Sequence, residues 1–400
     1  MAAARRKVLF FSESVTLAHA ARPMVLAGAL DAARYESVLA IDPRYESLFP
    51  SSQVRRVGLQ SIATEQFVEA LAKGRPLYEL ATLESYLEQD LRIIEQERPD
   101  FIVGDFRLSL SVSARLSGVP YLAIANAYWS PLCHNDYPIP EHPLVPLLGL
   151  ATAQWLFDRV RPLAFALHTL PLNRLRKRHG LHPLGYDLRR TYTDCDHLLY
   201  ADIPGLVPMA RLPGNHHFLG PVLWAPRIDY PQWWDALDAA RPIIYISPGS
   251  SGSGAMLQVL IGALSELPVT LVIATAGARI VSTDRPNVFS ADYLPGDELA
   301  ARAALVICNG GSLMCYQALA EGVPVIGIAG NLDQHLNISA IERLGAGVRL
   351  RSDRLDSAGL RGAVERLLRS DTARAAAGAL QTRIGSMNPA VELQKLLDRF

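Results

Sequence analysis

The stretch Ala304-Leu305-Val306-Ile307-Cys308-Asn309-Gly310-Gly311-Ser312 decides the fold. A short apolar run of strand length ends at two glycines and passes into a helical segment. That junction exposes backbone N–H groups, and the helix N-terminus adds partial positive charge, so the turn suits a diphosphate. A side chain at either glycine would hold a phosphate away from the backbone. Downstream follow Gly322-Val323-Pro324-Val325-Ile326 and then Asn331-Leu332-Asp333-Gln334-His335-Leu336-Asn337. A carboxylate beside an amide, as in Asp333-Gln334, can hold the vicinal hydroxyls of a sugar, one accepting and the other both donating and accepting.

Upstream, the strand candidate Pro242–Ser247 leads into a second glycine-rich turn, Pro248-Gly249-Ser250-Ser251-Gly252-Ser253-Gly254. It has P-loop spacing from Gly249 to Gly254, but Ala255 stands where lysine is needed. A dinucleotide fingerprint would require glycine at Leu257, and no G-x-S-x-G elbow occurs. A phosphate- or base-contacting loop and a plain flexible turn both remain open.

The pattern repeats along the chain. Short apolar runs alternate with amphipathic helical stretches, which predicts βαβ units and parallel sheets. The N-terminal half offers Lys7–Phe11, Ser37–Ile41, Phe101–Gly104, Tyr121–Ala125, His197–Ala201 and Phe218–Gly220 as strands, and the C-terminal half adds Val269–Thr275, Val288–Ser290 and Val323–Ile328. A proline-dense stretch around Pro221, Pro226, Pro231 and Pro242 reads as a stiff linker. The expected organisation is an N-terminal domain over 1–221, a linker over 222–241, a C-terminal domain over 242–385 and a closing helix over 386–400.

Composition narrows the function. Of 400 residues half are hydrophobic, and 39 Lys and Arg balance 39 Asp and Glu. That is ample apolar material for two cores. No clustered positive face is visible, so a nucleic-acid partner is not expected. The most basic segment, Asn173 to Gly180, reads as a solvated helix end. Cys133, Cys195, Cys308 and Cys315 show neither C-x-x-C nor zinc spacing, so no metal site or disulfide framework is indicated. With no signal-peptide core and no transmembrane-length apolar run, a cytoplasmic location is expected. Leu147 to Leu167 is apolar on more than one face, which allows a peripheral membrane contact.

At the N-terminus, the strand Val8–Phe11 leads to Ser12-Glu13-Ser14-Val15-Thr16-Leu17-Ala18-His19-Ala20-Ala21-Arg22-Pro23. Pro23 fits a helix's first turn, which places His19 on the loop or helix start above the carboxyl edge of the sheet, where ligands of open α/β sheets bind. Asp105 follows the strand Phe101–Gly104 and should reach the same edge. Histidine titrates near neutrality and suits a general base, and a carboxylate on its other nitrogen would fix the tautomer. Taken singly, such a His is more often a capping or surface residue, and an Asp after a strand is often a helix N-cap.

Tyr293-Leu294-Pro295-Gly296, Asn309-Gly310-Gly311-Ser312, Ala318-Leu319-Ala320-Glu321-Gly322-Val323-Pro324, Asp333-Gln334 and Asn337, in that order and spacing, resemble the donor signature of family 1 glycosyltransferases. These are inverting enzymes of GT-B fold, with two Rossmann-like domains whose parallel sheets face a cleft and a C-terminal helix that returns to the N-terminal domain. The resemblance implies a nucleotide-diphosphate sugar as co-substrate, a small-molecule acceptor and no metal or other cofactor. It places Tyr293 on the nucleobase and Leu294 beside it. Gly249, Ser250 and Ser251 fall on the loop facing the diphosphate, with Asn309, Gly310, Gly311 and Ser312 around the phosphates. Asp333 and Gln334 take the sugar. His19 is the implied base and Asp105 its partner. Tyr128, Trp129 and His134 open the variable segment Tyr128 to Pro213, whose aromatic residues either line the acceptor or form the domain's own core.

Three positions depart from the family pattern: Asn309 replaces a His, Met314 a Ser or Thr phosphate ligand, and Gln317 a ribose-binding Glu. An amide has one acceptor and one donor face where a carboxylate has two acceptors. This admits a dTDP-sugar beside a UDP-sugar. The expected activity is hexose transfer to a hydroxyl of a hydrophobic natural product or lipid-like acceptor. The alternatives are a non-catalytic homologue that activates another transferase, and a nucleotide-sugar hydrolase or epimerase of the same fold.

Overall fold

The computed structural model of the chain describes residues 5–49, 54–238, 240–249, 254–277 and 285–400. They divide into two units, each built on a parallel sheet.

The first unit comprises Met1–Asn135, Leu144–Val222 and Met387–Phe400. Its strands are β1 (Arg6–Ser12), β2 (Tyr35–Ile41), β3 (Arg55–Gly58), β4 (Phe101–Asp105), β5 (Tyr121–Ala125), β6 (His197–Tyr200) and β7 (His216–Phe218). They lie in the order β3-β2-β1-β4-β5-β6-β7. Val8 to Phe11 are wholly buried, as expected of a strand covered on both faces. β3 breaks that pattern. Its Arg-Arg-Val-Gly sequence is partly exposed, with Arg55 paired to Glu97, because it is an edge that one-sided burial and charge protect. The closing helix Pro389–Leu397 belongs to this unit: Leu393 and Leu397 are buried, and Asp398 behind it accepts from Tyr35 and Arg6.

The second unit comprises Asp136–Pro143 and Leu223–Ser386. Its strands are β8 (Ile243–Ser247), β9 (Thr270–Ala274), β10 (Val288–Ala291), β11 (Leu305–Cys308), β12 (Val325–Ala329) and β13 (Gly347–Arg351), ordered β10-β9-β8-β11-β12-β13. The core joins Ile244, Ile246, Leu271, Leu305 and Ile326 of the strands to Leu257, Leu260 and Leu360 of the helices. The segment Asp136–Pro143 comes from the N-terminal half of the sequence yet clusters here. Glu141 N–H donates to Gly330 O at 2.7 Å, and Arg351 donates to the carbonyls of Ile139 and Pro140.

In both sheets the strand order reverses once, between β1 and β4 and between β8 and β11. Such switch points open the crevice in which α/β proteins bind ligands. Ser12 pairs with Asp105 across the first, and Ser247 with Cys308 across the second.

Candidate functional site

The residues at the first switch point are held by the helix Leu17–Ala29. This helix starts earlier than its sequence suggests, so Pro23 lies inside it rather than in its first turn. An interior proline has no N–H for the carbonyl four residues back, which here belongs to His19. The buried Ser12 hydroxyl donates to that carbonyl at 3.1 Å. Strand end and helix are thereby tied at the backbone of His19.

The His19 side chain is 20% exposed and Asp105 is fully buried. His19 Nδ1 lies 2.7 Å from Asp105 Oδ1. The Asp105 carboxylate caps no helix. It receives a two-pronged bond from Arg22, Nε to Oδ2 at 2.7 Å and a terminal nitrogen to Oδ1 at 3.0 Å. Arg22 also donates to Asn126 Oδ1 at 3.0 Å, and Asn126 donates to Asp202 Oδ1 at 3.1 Å. Burial of Arg22 acts to lower its pKa, but Asp105 outweighs this and raises it. The arginine is thus a fixed cation. The same Arg22 nitrogen that reaches Oδ1 is 2.9 Å from His19 Nδ1. Guanidinium nitrogens only donate. Nδ1 therefore either carries its proton toward Asp105, leaving Nε2 as a base, or accepts from Arg22 as the other tautomer.

The ring of His19 stacks on Phe106, with centroids 4.7 Å apart and planes 12° from parallel. Phe106 takes φ of +59°, a left-handed conformation rare outside glycine. It costs about 1–3 kcal/mol and delivers the ring directly after Asp105. Phe106 meets Tyr192 at 5.3 Å, and Tyr192 meets Trp129 edge-on at 5.1 Å. An aromatic row therefore leads away from His19. Trp129 was expected near an acceptor, and here it is half-buried at the end of that row. Tyr128 is wholly buried in the core, and His134 is exposed. Phe106 and Tyr192 carried no readable signal in the sequence, and Arg22 read only as a nearby polar candidate with no assigned role, because their roles follow from distant segments that only folding unites.

Behind this site lies a second group of charges. Arg107 binds Glu13 Oε2 and Asp90 Oδ1, each at 3.0 Å, and its guanidinium sits 3.4 Å from the Tyr86 ring centroid. All three charged residues are buried. Burial raises the pKa of Glu13 and of Asp90, with Arg107 pulling the other way. This group braces the loop after β1.

At the second switch point, Gly310 has φ of +82°, and a Cβ there would come within 3.3 Å of Gln334 O. Gly249 has φ of +70°, and a Cβ there would lie 2.7 Å from Asn309 Nδ2. Ser250 and Ser251 lie outside the described residues. The glycine amides are not free, as the turn alone suggested: Gly310 N–H donates to Cys308 Sγ at 3.3 Å, and Gly311 N–H to Asn309 Oδ1 at 3.0 Å. The helix Ser312–Ala320 begins at Gly311 without a side-chain cap. Its first-turn amides, from Ser312 to Met314, are the N–H groups left for an anion. Met314, which has no useful side-chain donor, can still offer its backbone.

Gln317 is buried. Its amide donates to Trp224 O, while its carbonyl oxygen finds no partner among the described residues. Tyr293 is 39% exposed and Leu294 is buried beneath it. Asn331 and Gln334 form a capping box at the head of the helix Leu332–Arg343. The Gln334 oxygen accepts from Gly330 N–H at 2.9 Å and from Asn331 N–H at 3.2 Å, so toward a sugar this side chain can only donate. Asp333 stands in the same first turn, half-buried.

No His, Cys, Asp or Glu group able to hold a metal occurs among the described residues, and the four cysteines are unbridged. None of the described helices is long and apolar enough to cross a membrane. The basic segment after Asn173 is not simply solvated. Arg176 is buried and reaches Asp194 Oδ2 at 2.5 Å and Ser111 O at 3.1 Å, because the helix end docks against its neighbours.

Residues 258–397 match the erythromycin biosynthesis protein CIII-like C-terminal domain. The chain is 51% identical over 385 residues to a PGL/p-HBAD biosynthesis rhamnosyltransferase of Mycobacterium bovis, covering 96% of this chain and 86% of the relative. A PGL/p-HBAD biosynthesis glycosyltransferase of Mycobacterium tuberculosis is 49% identical over 383 residues, covering 96% and 90%. A relative named as an inactive PGL/p-HBAD biosynthesis glycosyltransferase, from Mycobacterium bovis, is 48% identical over 264 residues, covering 66% and 72%. Among solved structures, the spinosyn rhamnosyltransferase complexed with thymidine diphosphate superposes with a TM-score of 0.70 at 19% identity, covering 98% of this chain and 99% of that one. The chain is a glycosyltransferase of GT-B fold and belongs to family 1.

Proposed function

We propose that this enzyme transfers a 6-deoxyhexose, rhamnose in the first instance, from a dTDP-linked donor to a hydroxyl of a phenolic, lipid-like acceptor, with inversion at the anomeric carbon. The observation that carries the reading is the 2.7 Å contact between His19 Nδ1 and the buried Asp105 at the first switch point. In the tautomer with the proton on Nδ1, Nε2 takes the proton of the acceptor hydroxyl. The oxygen attacks C1 of the sugar, and the C1–O bond to the diphosphate breaks, its electron pair leaving with dTDP. Asp105, held by Arg22, stabilises the imidazolium. The first-turn amides from Ser312 onward meet the leaving diphosphate, and no metal is assigned a part.

Three observations support the finer choices. The aromatic row from Phe106 to Trp129 suits a flat, apolar acceptor. Gln317 offers one buried acceptor oxygen where two would hold a ribose diol, which favours a nucleotide without a 2′-hydroxyl. The relative of 51% identity is named a PGL/p-HBAD biosynthesis rhamnosyltransferase. A binding-only role is disfavoured by the intact His19–Asp105 contact.

The test is incubation of the protein with dTDP-rhamnose or UDP-glucose and a soluble alkylphenol, with products read by mass spectrometry. Rhamnosylated phenol from the dTDP donor is expected. Donor hydrolysis that proceeds equally without acceptor, or no turnover with either donor, would contradict the proposal.

A further inference from the structure

The helix Leu150–Arg178 presents to solvent a face that a water-soluble helix keeps polar. Trp155, Arg159, Leu163 and Leu167 follow one another at intervals of four and so share one side. Trp155 is 55% exposed, Leu163 64% and Leu167 49%, with Val160 beside them at 48%. Just before this helix, Leu147 is 75% exposed. The opposite side is anchored: Leu172 and Leu175 pack with Tyr78, Leu83, Tyr86 and Leu87 in a buried cluster. The exposed residues are therefore not a core that failed to close.

The charge on the same helix is one-signed. Of its six basic residues, Arg176 is buried against Asp194 and Arg178 is paired with Glu84, while Arg159, Arg174 and Lys177 are exposed beside a single acid, Asp158, in a chain whose overall charge is zero. The Arg159 guanidinium lies 3.7 Å from the Trp155 ring centroid, and Arg174 and Lys177 extend the exposed face toward the helix end. Tryptophan beside arginine over exposed leucines is the pattern of a helix lying in the headgroup region of a bilayer. The helix is not apolar enough to cross one.

We propose that this face docks the enzyme on an anionic phospholipid surface, with Trp155, Leu163 and Leu167 entering the interface and Arg159, Arg174 and Lys177 meeting phosphate headgroups. A second copy of the chain is a poorer occupant, since a two-fold contact through this face would set one basic helix against another. The inference is independent of the catalytic reading, because the face contains none of the residues assigned to transfer.

The experiment is co-sedimentation of the full-length protein with sucrose-loaded vesicles of phosphatidylcholine, with and without phosphatidylglycerol, and with brominated lipid to quench tryptophan. Binding to the anionic vesicles is expected, weakened by salt. It should fall roughly tenfold or more in Leu163→Asp/Leu167→Asp, and Trp155→Phe should remove the lipid quenching. Arg159→Glu/Lys177→Glu, which leaves the apolar residues in place, should also weaken binding. Absence of binding, wild-type binding by both double variants, or self-association in the ultracentrifuge that the leucine variant abolishes would overturn the proposal.

Discussion

Arg22 shows how much of the site rests on one side chain. It is buried, it satisfies both oxygens of Asp105, and through Asn126 it reaches Asp202. A carboxylate buried against His19 alone would be poorly compensated, and breaking a buried ion pair typically costs about 3–5 kcal/mol. Replacing Arg22 with Lys keeps the charge but loses the planar fork. Arg22→Lys is therefore expected to lower kcat more than it raises KM, with a fall in melting temperature. A variant with unchanged kcat would show that Arg22 braces the fold without orienting the dyad. His19 and Asp105 were readable from their positions at strand ends, but the arginine three residues from His19 read only as a nearby polar candidate without a role. Its partners at positions 105 and 126 lie far along the chain. The same holds for Phe106, whose stacking under His19 depends on a backbone conformation that a Phe codon does not announce.

At the scale of the element, the glycine turn was legible in outline and misread in detail. The two glycines marked the loop after β11. Their amides, however, are occupied by Cys308 Sγ and Asn309 Oδ1, and the open donors are the next three amides, in the first turn of the uncapped helix. Likewise, Asp333-Gln334 reads as a sugar clamp, yet half of Gln334 is engaged in capping its own helix. Capping contacts form between a side chain and backbone three residues away, so the same residues fit either role until coordinates separate them. The helix that follows carries a further consequence. His335 is wholly buried, and neither ring nitrogen finds a partner among the described residues. Burial first, and then the nearby charges of Arg349 and Arg351, push its pKa down to about 3. Folded His335 stays neutral where the unfolded residue would take up a proton. Its stabilising effect is complete above the unfolded value, 6.5, and is lost as pH falls through the window toward about 3. At about 1.4 kcal/mol per unit this is a loss of several kcal/mol. Urea unfolding between pH 7 and pH 4 is expected to show a steeper loss of stability for the wild type than for His335→Phe. Parallel curves would remove His335 as the cause.

For the molecule as a whole, the alternation of apolar runs with amphipathic helices was enough to read two parallel sheets. The strands that escaped were β3 and β13, both sheet edges where arginines interrupt the apolar run. The segment Asp136–Pro143 escaped for another reason. It joins the second unit through backbone carbonyls bound by Arg351, and a carbonyl has no sequence signature. Each sheet brings polar groups to its own switch point, the imidazole of His19 against Asp105 in one and the uncapped helix end after Gly311 in the other. The account stands on the imidazole of His19 as the group that takes the acceptor's proton. The most direct measurement is the single-turnover rate of sugar transfer by His19→Ala at saturating donor, alongside dTDP affinity and melting temperature. The rate should drop about 10²–10⁴-fold while dTDP affinity and melting temperature stay at wild-type values. Transfer at the wild-type rate would mean that another group, or water, deprotonates the acceptor.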